Sequence, residues 1–279
     1  MVKYHYHRHR GMRFGPAGYP KQGKDAFSSL EYTRSIGLDA LEVGLVRGVR
    51  IKEEHALKVG EKAKELDIRL SCHAPYFINF NSDNQETRDK SVRWVMDTAR
   101  VAHSMGAYII VIHAASYGKS PEEALDSVIE GLIVCKDNLD NEGIDDVILG
   151  VETMGKKGQF GTLDEIEKIV EGVDGVRPVL DVAHVHARNG GFLKTEDDMR
   201  ALVDQFFPMT GDIAHFHISC IEYGEKGEIR HLTLDHKDPD MQLLANVLND
   251  YDKDCTFICE SPETSADAVV FKSMFPRFD

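Results

Sequence analysis

The sequence predicts a single-domain (β/α)8 barrel, an α/β fold of the TIM-barrel type, that begins at residue 12 and runs to residue 279. Three observations support this fold class. Short strand-like runs alternate with helical patterns eight times along the chain. Eight such units in about 270 residues leave little chain to spare, since a barrel of this kind needs about 250 residues. No shift in composition and no long linker divides the chain.

The predicted strands are short aliphatic runs, and each is followed by a stretch with helical periodicity. The strands are predicted at residues 12–15, 40–44, 69–73, 108–113, 147–152, 179–181, 213–217 and 256–260. The helices are predicted at residues 24–36, 51–66, 85–105, 121–141, 163–170, 195–206, 240–250 and 266–274. Two helix starts are well marked. Ser120 precedes Pro121, and Thr162 stands three residues before Glu165, which is capping-box spacing.

A doubly wound open sheet is the alternative parallel α/β fold. Such a sheet normally carries a glycine-rich phosphate-binding loop after its first strand. The stretch FGPAGYP at residues 14–20 does not have that pattern. We therefore prefer the barrel.

The composition is that of a packed globular protein, with 42% hydrophobic residues and five cysteines. The cysteines lie in or beside apolar runs and do not form metal-binding pairs, so we expect buried thiols in a reducing compartment. No apolar run approaches the roughly 20 residues of a membrane span. We expect a cytoplasmic monomer that does not bind membranes.

The first eleven residues, MVKYHYHRHRG, alternate aromatic, His and Arg residues without a core pattern. We interpret residues 1–11 as an affinity tail or a disordered leader, with a metal-binding arm as the alternative. The net charge is −14, and it is more negative still without Lys3, Arg8 and Arg10. Such acidity disfavours broad, nonspecific binding of nucleic acid, although bound metal ions would supply positive charge locally.

Most of the predicted strands end on residues that can bind a metal. These residues are His73, His113, Glu152, Asp181 with His184, His215 with His217, and Glu260. A single strand-end His or Glu is usually an ordinary hydrogen-bonded or ion-paired residue. In a barrel, however, the carboxyl ends of all strands share one rim. Buried carboxylates brought so close together repel unless cations neutralise them, so the joint pattern predicts a metal centre.

The residue types also indicate the metal. Imidazole and carboxylate ligands without thiolates favour zinc, manganese or iron, and the many histidines favour zinc. About eight ligands are too many for one four-coordinate ion. We therefore expect two or three zinc ions that share bridging carboxylates, with manganese as the alternative metal.

With these motifs the chain resembles the endonuclease IV family of apurinic/apyrimidinic endonucleases, which belong to the xylose-isomerase-like barrels. The resemblance covers nearly all of residues 12–279, and the order and spacing of the motifs together make it specific. The motifs are His-Ala-Pro-Tyr-x-Ile-Asn at residues 73–79, His113, Glu152 with Gly158, Phe160 and Gly161, Asp181-x-x-His184, His215, Arg230-His231 and Glu260.

The resemblance implies a site with three zinc ions. His73, His113 and Glu152 would hold the first ion. The second would be held by Glu152 as a bridge and by Asp181, His215 and Glu260, while His184 and His231 would belong to the third. Glu152 and Glu260 are the expected catalytic residues, and Glu260 would orient the attacking hydroxide.

The chain departs from the family pattern at the third ion. The family has an Asp two residues before the last His, and Ile229 stands there in this sequence. Isoleucine cannot bind a cation, so either Glu228 replaces the Asp after a local shift or water completes the coordination of a weak site. His217 shares a strand face with His215, and the gap-free match favours His215. His186 fits no ligand position.

The activity implied by the resemblance is hydrolysis of the phosphodiester bond 5′ to an abasic site in damaged double-stranded DNA, as in base excision repair. Two zinc ions would activate the attacking water near neutral pH. Tyr76 and Asn79 match loop residues beside the lesion pocket, and Arg47 or Arg50 would reach backbone phosphates. Loop packing for Tyr76 and a solvated surface for the two arginines are the alternatives.

The strongest rival function is a sugar isomerase or epimerase on the same barrel. Such enzymes use a Glu-Asp-His-Glu quartet for one divalent metal, which Glu152, Asp181, His215 and Glu260 would also satisfy. A one-metal isomerase has no evident need for His73, His113 and His231, whereas Ile229 favours the isomerase. A noncatalytic barrel that binds nucleic acid or a sugar is a third possibility.

Overall fold

The computed structural model describes residues 11–118 and 120–276, and the predicted barrel is confirmed. All eight predicted strands and all eight predicted helices are present, with ends that differ by three residues or fewer. The predicted leader lies outside the described residues, except for Gly11.

The strands and helices are numbered in chain order. The strands are β1 (Met12–Pro16), β2 (Ala40–Gly44), β3 (Arg69–His73), β4 (Ile109–Ile112), β5 (Ala115–Ser116), β6 (Ile148–Glu152), β7 (Gln159–Phe160), β8 (Val176–Asp181), β9 (Ile213–Ile218), β10 (Cys220–Gly224), β11 (Gly227–Leu232) and β12 (Asp254–Cys259). The helices are α1 (Ala26–Ser35), α2 (Glu53–Glu65), α3 (Gln85–Met105), α4 (Pro121–Glu142), α5 (Leu163–Gly172), α6 (Val182–Arg188), α7 (Glu196–Phe206), α8 (Met241–Leu248) and α9 (Thr264–Ser273).

Eight parallel strands form the barrel, in the order β1-β12-β9-β8-β6-β4-β3-β2. The first and last strands of this order come together through a bridge between Ala17 and Glu42, and the Gly18 N–H donates to the Glu42 carbonyl at 2.8 Å. Gly15 allows β1 and β2 to approach, because a Cβ at that position would lie 1.9 Å from the Ala40 carbonyl oxygen. The barrel is therefore nearly closed.

The space between the barrel strands and the helices is filled by aliphatic and aromatic side chains. On one side, Phe14 and Phe216 stack on Phe257 with ring centroids 5.2 and 4.9 Å apart, and Phe271 of α9 meets the edge of Phe257. All four rings are almost completely buried. Each contributes about 1.5–3 kcal/mol by leaving water, so this packing fixes the strands that carry the polar residues.

Three features were not predicted. Helix α6 begins directly after β8, where we expected a loop, and β10 and β11 form an antiparallel hairpin after β9. The short strands β5 and β7 pair with each other. All of these elements follow the carboxyl ends of barrel strands, the end where active sites of this fold lie.

The five cysteines are buried and form no disulfide bond, as expected. In the described ranges, no helix has both the length and the apolar character required to cross a membrane.

Candidate metal centre

Glu152, the last residue of β6, lies at the middle of the polar cluster. Its side chain is fully buried, and four imidazoles surround it, including that of His184, whose Nδ1 lies 3.4 Å from Oε1. His113 Nε2 lies 2.7 Å and His73 Nε2 lies 3.5 Å from Glu152 Oε2, while His217 Nδ1 lies 3.1 Å from Oε1. The two carboxylate oxygens therefore face different groups of side chains, as a carboxylate that bridges two cations would.

The first group of potential ligands consists of His73, His113 and Glu152, the residues that the resemblance implies for the first ion. His73 Nδ1 is 2.8 Å from the Ala74 carbonyl oxygen, which can only accept, so Nδ1 carries the proton. In the neutral ring Nε2 then presents a lone pair towards Glu152, and Nε2 has no hydrogen-bond partner although it is buried. A cation between the ring and the carboxylate would satisfy both atoms.

The second group is Glu152, Asp181, His217 and Glu260. We had preferred His215 for this group, but the sheet register places His217 there. Asp181 of β8 pairs with His217 of β9, whereas His215 pairs with Val179, one layer deeper in the barrel. His217 Nδ1 lies 3.5 Å from Oε1 of Glu260, whose side chain is the most exposed of the group.

The third group is Asp181, His184 and His231. Asp181 caps α6 by accepting from the His184 N–H at 2.7 Å, so the unpredicted helix turns His184 back over the end of β8. The second oxygen of Asp181, Oδ2, is buried without a hydrogen-bond partner. His231 Nδ1 bonds Ser219 Oγ at 2.7 Å, and its other nitrogen lies 3.7 Å from Glu260.

Glu42, near the middle of β2, is a buried functional residue that the sequence reasoning missed. Its Oε2 accepts from Ser71 Oγ at 2.8 Å, from His215 Nε2 at 3.2 Å and from His217 Nε2 at 3.3 Å. His215 in turn accepts from the Tyr108 hydroxyl at 2.6 Å. Glu42 therefore fixes the His217 ring so that Nδ1 faces Glu152 and Glu260. A carboxylate within the apolar run ALEVG was the available signal.

The pKa values of the buried acids and imidazoles are shifted by burial and by their charged neighbours. Burial raises the pKa of Glu42, but His217 and His215 outweigh it and hold that pKa well below its usual range. Burial and the neighbouring Glu152 raise the pKa of Asp181 to about 6, against the opposing effect of His184. Burial lowers the pKa of His184, but Asp181 and Glu152 outweigh it and raise that pKa to about 10. The site thus holds protons where divalent ions would compete for the same lone pairs.

The predicted substrate-binding residues lie at the rim of the barrel mouth. Tyr76 is 54% exposed, and its ring centroid lies 5.0 Å from His73 and 5.1 Å from His113. Arg47 and Arg50 are exposed in the loop after β2. Asn79 differs, because its side-chain oxygen accepts from the Asn81 and Ser116 N–H groups and so braces the loop.

His186 lies apart from these groups. Its Nε2 contacts Asp238 at 2.8 Å, and Asp238 also pairs with Lys194. This contact joins α6 to the loop that follows β11. The structure therefore brings together all the predicted ligands in these three groups except His215, which lies in a further group of potential ligands with Glu42 and His217.

The comparisons with known proteins give a family and two kinds of relative. The model of the xylose isomerase-like TIM barrel family matches residues 30–273. An uncharacterised protein of Methanocaldococcus jannaschii is 33% identical over 267 residues, which cover 94% of this chain and 96% of that protein. A probable endonuclease 4 of Malacoplasma penetrans is 32% identical over 132 residues, less than half of either chain.

Solved structures share the fold at lower identity. A D-tagatose 3-epimerase-like protein superposes with a TM-score of 0.72 and 18% identity over 96% of this chain and 97% of that one. Endonuclease IV from Thermus thermophilus superposes with a TM-score of 0.70 and 21% identity over 94% and 98%. The fold alone does not distinguish an epimerase from an endonuclease, but the match to the family model over residues 30–273 shows the family. The chain belongs to the xylose isomerase-like TIM barrel family.

Proposed function

We propose that the chain is a zinc-dependent phosphodiesterase that cuts damaged double-stranded DNA 5′ to abasic sites. The observation that carries this proposal is the arrangement of three histidines outside the Glu-Asp-His-Glu quartet. His73, His113 and His231 each direct a ring nitrogen at a carboxylate of that quartet. These contacts provide ligands for more than one ion, which a phosphodiesterase uses and a one-metal isomerase does not need. The similarity to probable endonucleases 4 supports the same activity.

The donor set fits divalent ions of the zinc type. It combines imidazole nitrogens with carboxylate oxygens, and two of its buried atoms, His73 Nε2 and Asp181 Oδ2, have no hydrogen-bond partner. Bound ions would lower the pKa of a water molecule and offset negative charge on the scissile phosphate. His217 would take the ligand position for which we first preferred His215.

The residues of the chain would have distinct tasks in this reaction. Glu152 would hold two ions apart, because its oxygens face different groups. Glu260 is the least buried carboxylate of its group, at 13% side-chain exposure, so it would orient the attacking water. Tyr76 would offer a ring face to the lesion, and Arg47 and Arg50 would contact flanking phosphates. No base is stacked at an abasic site, which makes its extrusion inexpensive.

The direct test uses the zinc-reconstituted chain and a duplex with one tetrahydrofuran abasic analogue. We expect a single cut that leaves a 3′-hydroxyl at the 5′ side of the analogue. The undamaged duplex and the Glu152→Gln variant should give no cut, whereas Glu54→Gln, an exposed change on α2, should cut normally. Absence of cutting at high enzyme concentration with zinc bound would refute the proposal.

A sugar isomerase or epimerase is the second candidate. The quartet of Glu152, Asp181, His217 and Glu260 is assembled in one group, as a single manganese or cobalt ion would require. The likeness in fold to a D-tagatose 3-epimerase-like protein also supports it. Ketose turnover with manganese or cobalt, together with no cutting of abasic DNA, would favour this candidate over the first.

A barrel that only binds nucleic acid or a sugar is distinguished by the Glu152→Gln variant. A binding protein keeps its affinity when this carboxylate is neutralised and has no turnover to lose. An enzyme of either class loses its turnover.

A further inference from the structure

The β10–β11 hairpin contains a bulge that changes which residues face the barrel mouth. The pairing runs from Ile221 with His231 to Glu222 with Arg230, and then shifts so that Tyr223 pairs with Glu228. Ile229 is left as the extra residue. A bulge of this kind reverses the alternation of side chains beyond it. Residue 228, and not residue 229, therefore shares the face of His231.

The exposure of the two side chains agrees with this register. Ile229 is 58% exposed, whereas the side chain of Glu228 is 14% exposed. Glu228 Oε2 lies 3.4 Å from His184 Nε2. The bulge thus directs a carboxylate towards His184, a member of the third group of potential ligands, at the place where the unshifted strand would put an isoleucine.

The position of the proton on His184 shows which ring nitrogen is available to a cation. His184 Nδ1 lies 2.9 Å from the Thr153 carbonyl oxygen, which only accepts, so Nδ1 carries a proton. In the neutral ring the lone pair of Nε2 then faces the Glu228 carboxylate. Two acceptors at this distance are satisfied by a proton on Nε2 or by a metal ion between them, and the proton and the ion compete for the same lone pair. Asp181 Oδ2, buried without a hydrogen-bond partner, belongs to the same group.

The loop after β6 is shaped to receive this carboxylate. A Cβ at Gly155 would lie 2.7 Å from Glu228 Cβ and 2.9 Å from its Oε2. The Gly155 carbonyl also accepts from the Glu228 N–H at 3.1 Å, and Lys156 bridges to Gly227. The absence of a side chain at residue 155 is therefore what allows Glu228 to reach His184.

We propose that Glu228 completes a third cation site with Asp181, His184 and His231. Two carboxylates and two imidazoles make a four-ligand set suited to zinc. The inference rests on the proposed metal centre and deepens it. It means that the bulge compensates for Ile229, so that the chain binds three ions and not two.

The test counts zinc in the full-length chain after stripping and reconstitution, by elemental analysis and by competition with a chelator. We expect three zinc ions in the unchanged chain and two in Glu228→Gln and Glu228→Ala. In the chelator competition, the third site of these variants should bind zinc at least about tenfold more weakly than the third site of the unchanged chain. The matched control Glu225→Gln alters an exposed glutamate of the same hairpin and should keep three. Ile229→Asp should also keep three, because residue 229 faces solvent.

The outcomes separate this inference from the proposed function. Three zinc ions in both Glu228 variants would overturn the role of Glu228. Two ions in the unchanged chain would overturn the third site and leave the phosphodiesterase proposal standing on the other two. One ion or none in the unchanged chain would remove the proposed multinuclear centre itself. Circular dichroism and the zinc count at the other two sites show whether each variant has folded.

Discussion

The substitution Glu42→Gln tests whether Glu42, which lies within β2 and not at its end, positions a ligand of the candidate metal centre. Glu42 Oε2 receives hydrogen bonds from Ser71, His215 and His217, and glutamine can keep an oxygen at that position. The change therefore removes the negative charge and nearly preserves the shape. Without that charge the His217 ring is a weaker base, and its Nδ1 is held less firmly towards Glu152.

The expected magnitude follows from what carboxylates behind metal-binding histidines contribute. Loss of such a partner typically weakens metal binding by about 10–100-fold, which is about 1.4–2.8 kcal/mol. Ser71→Ala removes one of the three donors to Glu42 and should weaken zinc binding less. Glu54→Gln, on the exposed face of α2, should leave the affinity unchanged.

Zinc affinity is measured by competition with a chromophoric chelator, and circular dichroism monitors the fold. Weaker binding also predicts that acidification releases zinc from Glu42→Gln at a higher pH than from the unchanged chain, because protons then displace the ion more readily. A folded Glu42→Gln variant that retains the zinc affinity and pH profile of the unchanged chain would refute the reasoning.

Three further predictions concern stability and substrate. Removal of zinc should lower the unfolding temperature, since an ion present at about 1,000 times its Kd contributes about 4 kcal/mol, and calorimetry with and without chelator measures this. Burial raises the pKa of Asp181 to about 6, above its unfolded value, so its favourable neutral form is lost as the pH rises from about 4 to 6. Asp181→Asn should therefore stabilise the metal-free chain at pH 7 by up to about 3 kcal/mol and by less at pH 4; urea titrations that show no gain would contradict this. Tyr76→Ala should raise the KM for abasic DNA by about 5–150-fold, the value of stacking one base that flanks the lesion, and leave the zinc count unchanged, whereas Tyr76→Phe should resemble the unchanged chain.

The sequence predicted the barrel and most of the polar cluster for one physical reason. In a parallel barrel the carboxyl ends of all strands lie at the same rim. Residues at the strand ends, such as Glu152 and Asp181, are therefore expected to meet even when the predicted strand boundaries are wrong by a few residues. The prediction that these residues converge therefore does not require an accurate prediction of the strand register. His73, His113, His184 and His231 meet these carboxylates as expected.

The depth at which each side chain lies within the barrel could not be predicted from the positions of the strand ends. His215 and His217 have the same alternation, and only the pairing of β8 with β9 shows that His217 reaches Asp181. Glu42 was missed because it precedes the end of β2 by two residues and pairs with Ser71, not with a rim residue. Side-chain alternation specifies the face of a strand but not the layer that the residue occupies.

Local backbone shape accounts for the remaining differences. Strand β8 passes directly into α6, and the bulge at Ile229 exchanges the faces of two neighbouring residues. Neither feature has a distinct sequence signal, because Ile229 has a high strand propensity and no glycine or proline marks the bulge. The hairpin is instead held by its contacts with Gly155 and Lys156 in the loop after β6.

The number of bound ions would also determine which class of substrate the mouth can accept. Five carboxylates converge there, namely those of Glu42, Glu152, Asp181, Glu228 and Glu260. With neutral histidines, one divalent ion leaves this cluster at about −3, two ions leave about −1, and three make it about +1. A neutral sugar tolerates the first state, but a phosphodiester of DNA is repelled by it. Because the protein is acidic overall, binding of the proposed DNA substrate would depend on this local reversal of sign. Glu228 adds a negative charge but also a ligand for the third ion, so the carboxylate at the bulge favours a phosphodiester only if that ion binds.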